Sequence, residues 1–175
     1  MEIKMEILVL SDSHGRREKI EEAINRQIKK PDAIIFLGDG LRDIVYAEIG
    51  NIPIYRVSGN CDMGGFFSDN GEVSERVAEL CGKRIFMTHG HKYGVKSTFT
   101  PLLNEATSRE ADIVLFGHTH EKCEGMIDNE NELGIRIKKP LYIMNPGSIG
   151  SYPYDFGVIS IDRGGRVLLS HGSLA

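Results

Sequence analysis

The chain has 175 residues, 41% of them hydrophobic and 26% charged, the ordinary mixture of a folded globular protein and enough for one domain, 1–175, with a sizeable core. Its net charge of −4 and pI near 5.9 exclude a surface built to hold long nucleic acid by counterion release. No apolar run approaches the roughly 18 residues of a membrane span, and the opening MEIKMEILVLSD is too acidic for a signal peptide. Three cysteines, Cys61, Cys81 and Cys123, lack paired spacing, which predicts free thiols in a reducing cytoplasm.

In chain order, Glu6–Ser11 (EILVLS) reads as a buried strand, and Arg17–Lys29 as an amphipathic helix with Ile20, Ala23, Ile24 and Ile28 on one stripe. Ala33–Gly38 (AIIFLG) is a second buried strand, Leu41–Ile49 a short helix and Ile54–Gly59 (IYRVSG) a third strand. This βαβαβ order predicts a parallel sheet. Val73–Leu80 and Arg84–Thr88 form a hairpin about Cys81-Gly82-Lys83, and a helix around Leu102–Glu110 leads into a strand at Ile113–Phe116. Short strands follow at Met126–Ile127, Leu141–Met144, Phe156–Ile161 and Val167–His171, with the clearest turn at Arg163–Arg166. The polar stretch Asp128–Pro140 reads as an exposed excursion. Two sheets, each backed by helices, is the predicted α/β architecture.

The strand exits carry the chemistry. They end in Asp12-Ser13-His14, Gly38-Asp39, Gly59-Asn60, Thr88-His89-Gly90-His91 and Gly117-His118-Thr119-His120, and five of the six histidines fall within them. The carboxyl edge of a parallel sheet is where ligands bind. If the backbone stays extended there, residues i and i+2 point the same way, so Asp12 would converge with His14 and His118 with His120. Imidazole, carboxylate and amide without thiolate suit Mn²⁺, Fe, Zn²⁺, Ni²⁺ or Mg²⁺. Seven ligands exceed what one ion takes and suit two that share a carboxylate.

The blocks D-x-H (Asp12, His14), G-D (Gly38, Asp39), G-N-x-D (Gly59, Asn60, Asp62), H-G (His89, Gly90) and G-H-x-H (Gly117, His118, His120) resemble the calcineurin-like metallophosphoesterase superfamily. The likeness runs over roughly residues 6 to 150 and includes Asn145-Pro146-Gly147-Ser148, read as a turn supporting the site or as a turn alone. Within the superfamily the chain is similar to the short, single-domain branch of phosphodiesterases and Vps29-like proteins. That resemblance implies a four-layer αββα sandwich, two mixed β-sheets flanked by helices. It implies one divalent ion, manganese first, on Asp12, His14, Asp39 and His120. A second would sit on Asp39, Asn60, His89 and His118, with Asp39 bridging. The implied reaction is hydrolysis of a small phosphodiester by in-line attack of a metal-bridging hydroxide.

Around this set, Cys61 stands where many family members place the histidine that protonates the leaving group. A thiol is a poor acid at neutral pH, so the expected enzyme prefers good leaving groups. The alternative for Cys61 is a small buried residue filling a loop. Asp62 is expected to orient that loop or a metal ligand, His91 either to touch the phosphoryl group or to bond backbone, and His171 to be structural. Gly64–Phe67 is read as a mobile rim over the site, or equally as packing residues or an oligomer contact. A Vps29-like interaction scaffold with a residual metal site, or a nuclease for short oligonucleotides, is the competing function, and a homo-oligomer is left open.

Overall fold

The structure, a computed structural model, describes residues 2–62, 73–128, 135 and 137–175. Strand β1 (Ile3–Leu10) pairs in parallel with β2 (Ala33–Phe36), and β2 with β3 (Ile54–Arg56); helices α1 (Arg17–Asn25) and α2 (Leu41–Tyr46) make the crossovers. The second half opens with the hairpin β4 (Glu75–Leu80) and β5 (Lys83–Thr88). Helix α3 (Thr100–Ser108) and β6 (Ile113–Leu115) follow, then β7 (Lys122–Ile127), β8 (Leu141–Pro146), β9 (Asp155–Asp162) and β10 (Val167–Ser173). The sheets have the orders β10-β9-β1-β2-β3 and β4-β5-β6-β8-β7, and both are mixed.

Alternation along the strands builds the layers. Ile7 and Val9 of β1, Ile35 of β2, Ile85 and Met87 of β5 and Ile113 and Leu115 of β6 meet between the sheets in one buried core. Their neighbours face outward: Leu8, Leu10, Ile34 and Phe36 pack on Ile20, Ala23 and Ile24 of α1 and on Leu41 and Ile44 of α2. On the far side Phe86, Val114 and Phe116 pack on Leu102, Leu103 and Ala106 of α3. The result is the expected αββα sandwich.

Two parallel sets, β1-β2-β3 and β5-β6-β8, point their carboxyl ends to one rim. All five predicted strand exits lie there, joined by the end of β8 at Asn145-Pro146. One histidine ties the sheets below that rim. His171 of β10 lies in the first sheet, yet its Nε2 is 2.8 Å from the Asn145 carbonyl and its Nδ1 is 3.1 Å from Glu124 Oε2, both in the second. That is the structural role expected of it.

Several expected boundaries move. Helix α1 stops at Asn25, four residues before the expected Lys29, and Ile28 is fully exposed rather than part of the apolar stripe. Helix α2 ends at Tyr46, three residues before the predicted Ile49. Strand β7 is longer than Met126–Ile127; its burial alternates residue by residue, as befits an edge strand with one wet face. Within the predicted exposed excursion Ile135 is buried against the α3 side, so that expectation fails there. Residues 129–134 and 136 of that stretch, and the rim at Gly64–Phe67, lie outside the described residues.

Candidate metal centre

The convergence expected at the rim is present, but extended backbone does not produce it. Asp12 has φ 57°, His14 45°, Asp39 57°, His118 66° and His120 62°, all in the left-handed region. Strands β1, β2 and β6 therefore end in tight left-handed turns that swing these side chains back over the sheet edge, whereas His89 and Asn60 reach the rim without one. For a residue with a β-carbon this conformation costs about 1–2 kcal/mol, and it recurs at sites where function sets the geometry. The glycines make room for the turns. A β-carbon on Gly38 would lie 2.4 Å from the Gly59 nitrogen, and one on Gly59 would lie 2.1 Å from Asp39 Oδ1.

The groups meet in two trios. In the first, Asp12 Oδ1 is 3.2 Å from His120 Nε2 and 3.8 Å from His14 Nε2, and the two imidazole nitrogens are 3.3 Å apart. In the second, Asp39 Oδ2 is 3.3 Å from His89 Nε2, and the His89 and His118 ring centres are 5.0 Å apart. Each trio has its ligand atoms within 4.8 Å of one another, as does a third set, His14, Asp39 and Cys61. Asp39 thus stands in two of the three, where a shared carboxylate would have to be.

Two atoms test whether this cluster fits cations. Asp12 Oδ1 and His89 Nε2 are fully buried and have no hydrogen-bond partner. The rest of each side chain is pinned: Asp12 Oδ2 accepts from Ser11 Oγ at 2.5 Å and from the His118 N–H at 3.1 Å, and His89 Nδ1 lies 2.8 Å from the Leu37 carbonyl. That contact keeps a proton on Nδ1 and turns Nε2 inward, where loss of its proton to a bound cation would leave a lone pair to ligate it. An orphaned carboxylate oxygen and an orphaned imidazole nitrogen, 3.9 Å apart and both aimed at the same space, fit a cation. The two trios offer oxygen and imidazole nitrogen, which suit Mn²⁺, Fe²⁺, Zn²⁺, Ni²⁺ or Mg²⁺.

Electrostatics concentrate on the same atoms. Burial pushes the Asp39 carboxyl up, but the His89 contact and the Cys61 N–H, which donates to Oδ1 at 2.7 Å, outweigh it and hold it well below the usual range. Burial draws His89 down, and the Asp39 contact with the Asp12 and Asp39 charges more than restores it. Burial, then the charges of His89 and Lys96, keep His118 below an ordinary imidazole.

The chain from residue 5 to 164 matches the calcineurin-like phosphoesterase superfamily domain. It belongs to that superfamily. The probable metallophosphoesterase YsnB of Bacillus subtilis is 30% identical over 145 residues, covering 83% of this chain and 75% of that protein. The phosphodiesterase MJ0936 of Methanocaldococcus jannaschii is 26% identical over 160 residues, covering 85% and 86% respectively. Vacuolar protein sorting 29 of Cryptosporidium parvum shares the fold at 18% identity, with a TM-score of 0.68 over 98% of this chain and all of that one. The superfamily is one of hydrolases that use divalent metals, so this phosphoesterase is placed in that class. No helix among its described residues is long and apolar enough to cross a membrane.

The remaining predicted residues of the phosphoesterase sit around the trios. Asn60 lies on the 3₁₀ turn Asn60–Asp62, with its amide donating to Cys61 Sγ at 3.4 Å. Cys61 is exposed, so its reading as a buried filler is wrong: Gly59 crowds against Asp39 and the next residues are thrown outward. A hydrogen bond to Asp39, burial and the charges of Asp39, Asp62 and Asp12 push its thiol up to about 11. Asp62 faces the other way and takes four backbone N–H groups, those of Asp39, Gly40, Leu41 and Gly59, at 2.7 to 2.9 Å. His91 is half-buried on the turn after β5, its ring centre 5.5 Å from that of His89 and 6.1 Å from that of His118. Its Nδ1 is buried without a partner, and burial with the His89 charge holds it below the usual imidazole range.

Sequence reasoning missed Ser11 and Asp43 as supports, whereas the Asn145–Ser148 turn was expected to be one. Asp43 of α2 accepts from Ser13 Oγ at 2.5 Å and the Gly15 N–H at 2.8 Å, fixing the loop that bears His14. Ser148 Oγ donates to the Asp12 carbonyl at 2.9 Å, and Asn145 Nδ2 donates to the Gly117 carbonyl at 2.9 Å and to Thr119 Oγ1 at 3.0 Å. The Asn-Pro-Gly-Ser turn is therefore a brace between two ligand loops. The one signal for this in the sequence is its place after a strand that runs parallel to the others.

Proposed function

We propose that this phosphoesterase carries two divalent cations, manganese by preference, and hydrolyses a small phosphodiester in the cytoplasm. The single observation that carries the reading is the pair of buried, unpartnered atoms, Asp12 Oδ1 and His89 Nε2, set between two ligand trios, with Asp39 of the second also within reach of His14 of the first. Asp12, His14, Asp39 and His120 would hold one ion, and Asp39, Asn60, His89 and His118 the other. Bound there, the ions supply a nucleophile active at neutral pH and neutralise charge on the phosphoryl group.

The chain's own groups do the rest. Ser11 and the His118 N–H lock the Asp12 carboxylate with Oδ1 inward, and the Leu37 carbonyl locks the His89 ring. His91 stands neutral beside His118, placed to orient a phosphoryl oxygen by N–H donation. Cys61 Sγ keeps its proton at neutral pH, so it is a weak acid toward a leaving alcohol. The acidic balance supports small substrates over nucleic acid, and the three free thiols support a reducing compartment.

Removing the metal with chelator should reduce hydrolysis of bis(p-nitrophenyl) phosphate to near background, and added Mn²⁺ should restore it by about a thousandfold, the several kcal/mol that such ions supply. A preparation shown by elemental analysis to hold manganese, yet inert toward every phosphoester offered, would turn the reading toward an interaction scaffold. The thiol gives a second test. Cys61→His should speed turnover of diesters with alkyl leaving groups by about a hundredfold and leave p-nitrophenyl substrates nearly unchanged. An unchanged alkyl-ester rate would mean that no acid is missing.

A further inference from the structure

Beside the ligand loops lies a cleft of about 580 Å³ that none of the predicted site residues lines. It opens where β6 hands over to β7 and is bounded opposite by the segment leading into α3. Its position is fixed by Thr119, the spacer between His118 and His120, which forms part of its wall. Thr119 is itself held rigid, since Asn145 donates to its hydroxyl and that hydroxyl accepts the Glu121 N–H at 3.2 Å. The cleft is thus built into the loop that carries two of the expected ligands.

Its lining is of two kinds. Val95, Phe99 and Cys123 supply an apolar floor, and Val95 and Phe99 are backed by the α3-side core, Phe99 edge-on to Phe116 at 5.1 Å. Lys96 and Glu121 stand at the rim, both exposed, and neither forms an ion pair among the described residues. Lys96 and Glu121 offset one another, the third charged residue of the lining, Lys122, is engaged by Asp155 at 2.9 Å, and Ser97 adds a hydroxyl, which together favour a neutral group with donors and acceptors over an ion of either sign. The apolar floor favours the face of a ring. The volume lies within the roughly 300–1,000 Å³ of small-molecule sites, far more than a methyl or ethyl ester needs. Thr119, directly after His118, forms part of the wall, so the cleft adjoins the loop that carries the second trio's His118.

We infer that this cleft is the specificity pocket of the enzyme and receives one organic arm of the phosphodiester, a ring of nucleoside size with hydrogen-bonding edges. This rests on the phosphodiesterase reading, and the test separates the two. Ser97, exposed on the cleft wall and outside both trios, is replaced by phenylalanine to fill the space. Wild type and Ser97→Phe are compared on methyl p-nitrophenyl phosphate and on the p-nitrophenyl ester of thymidine 5′-phosphate, which share a leaving group and differ in the other arm.

The variant should lose about tenfold or more in kcat/KM on the thymidine ester, a loss typical of a blocked apolar pocket, and stay within about twofold on the methyl ester. Equal losses on both, or no loss on either, overturn the pocket while leaving the phosphodiesterase intact. Absence of metal-dependent hydrolysis of either ester by the wild type overturns both readings. A binding measurement stands apart from turnover: thymidine 5′-phosphate added to chelated protein should shift the amide resonances of residues 95–99 and 119–123 in wild type and not in Ser97→Phe. Shifts confined to other residues would overturn the assignment.

Discussion

Asp39→Asn should lower kcat/KM of the manganese-loaded protein on a p-nitrophenyl diester by about a thousandfold or more, about 4 kcal/mol of transition-state stabilisation. The reason is its position. Its carboxylate belongs both to the trio with His89 and His118 and to the set with His14 and Cys61, so one substitution weakens both halves of the centre. Asparagine keeps an oxygen to accept the Cys61 N–H and nearly the same volume in this buried spot. The chelated variant should therefore melt within a few degrees of chelated wild type.

The metal-induced stabilisation should fall with the activity. At one hundred times its dissociation constant an ion stabilises the folded state by about 2.7 kcal/mol, which at this chain length is about 5–11 °C in melting temperature. In Asp39→Asn less than half of that rise should remain. A variant that loses activity but keeps the full metal-dependent rise would show that Asp39 acts on substrate and does not hold the ions. A variant that keeps its activity would remove the shared carboxylate from the mechanism.

The parts of this site legible in the sequence are those that chemistry marks by residue type. Asp12, His14, Asp39, His89, His118 and His120 could be picked out because imidazoles and carboxylates rarely follow buried apolar runs by chance. Their arrangement could not be read so directly. Extended geometry was the expected cause of convergence, whereas left-handed turns place Asp12, His14, Asp39, His118 and His120, because local strain at these positions is imposed by contacts from elsewhere in the fold. The braces are the clearest case. Ser148 reaches the Asp12 carbonyl from 136 residues away, and no local pattern around either residue announces the pairing. Ser11 and Asp43 were passed over for the same reason. The fold classes of the elements followed from periodicity, whereas β7 was shortened because an edge strand with a wet face carries few apolar residues to reveal it.

Asp62 joins the two considerations, since it bears on the metal centre without facing it. Substituting alanine should lower the melting temperature of chelated protein by about 6–20 °C, from a loss of about 3–5 kcal/mol. One carboxylate now satisfies four N–H groups: Oδ2 takes Asp39 and Gly59, and Oδ1 takes Gly40 and Leu41 at the start of α2. It thereby clamps the turn after β2 to the turn after β3, which sets the distance between Asp39 and Asn60. Asparagine should rescue little, because its amide nitrogen would oppose two of the four donors, whereas a purely electrostatic role would let much of the effect return at high salt. Manganese affinity measured by calorimetry should drop about 10–100-fold in both variants, as expected when a group orienting metal ligands is removed. Asp62→Ala with unchanged melting and an unchanged manganese titration would mean that the two turns hold their geometry without the clamp, and the account of how Asp39 is positioned would fail.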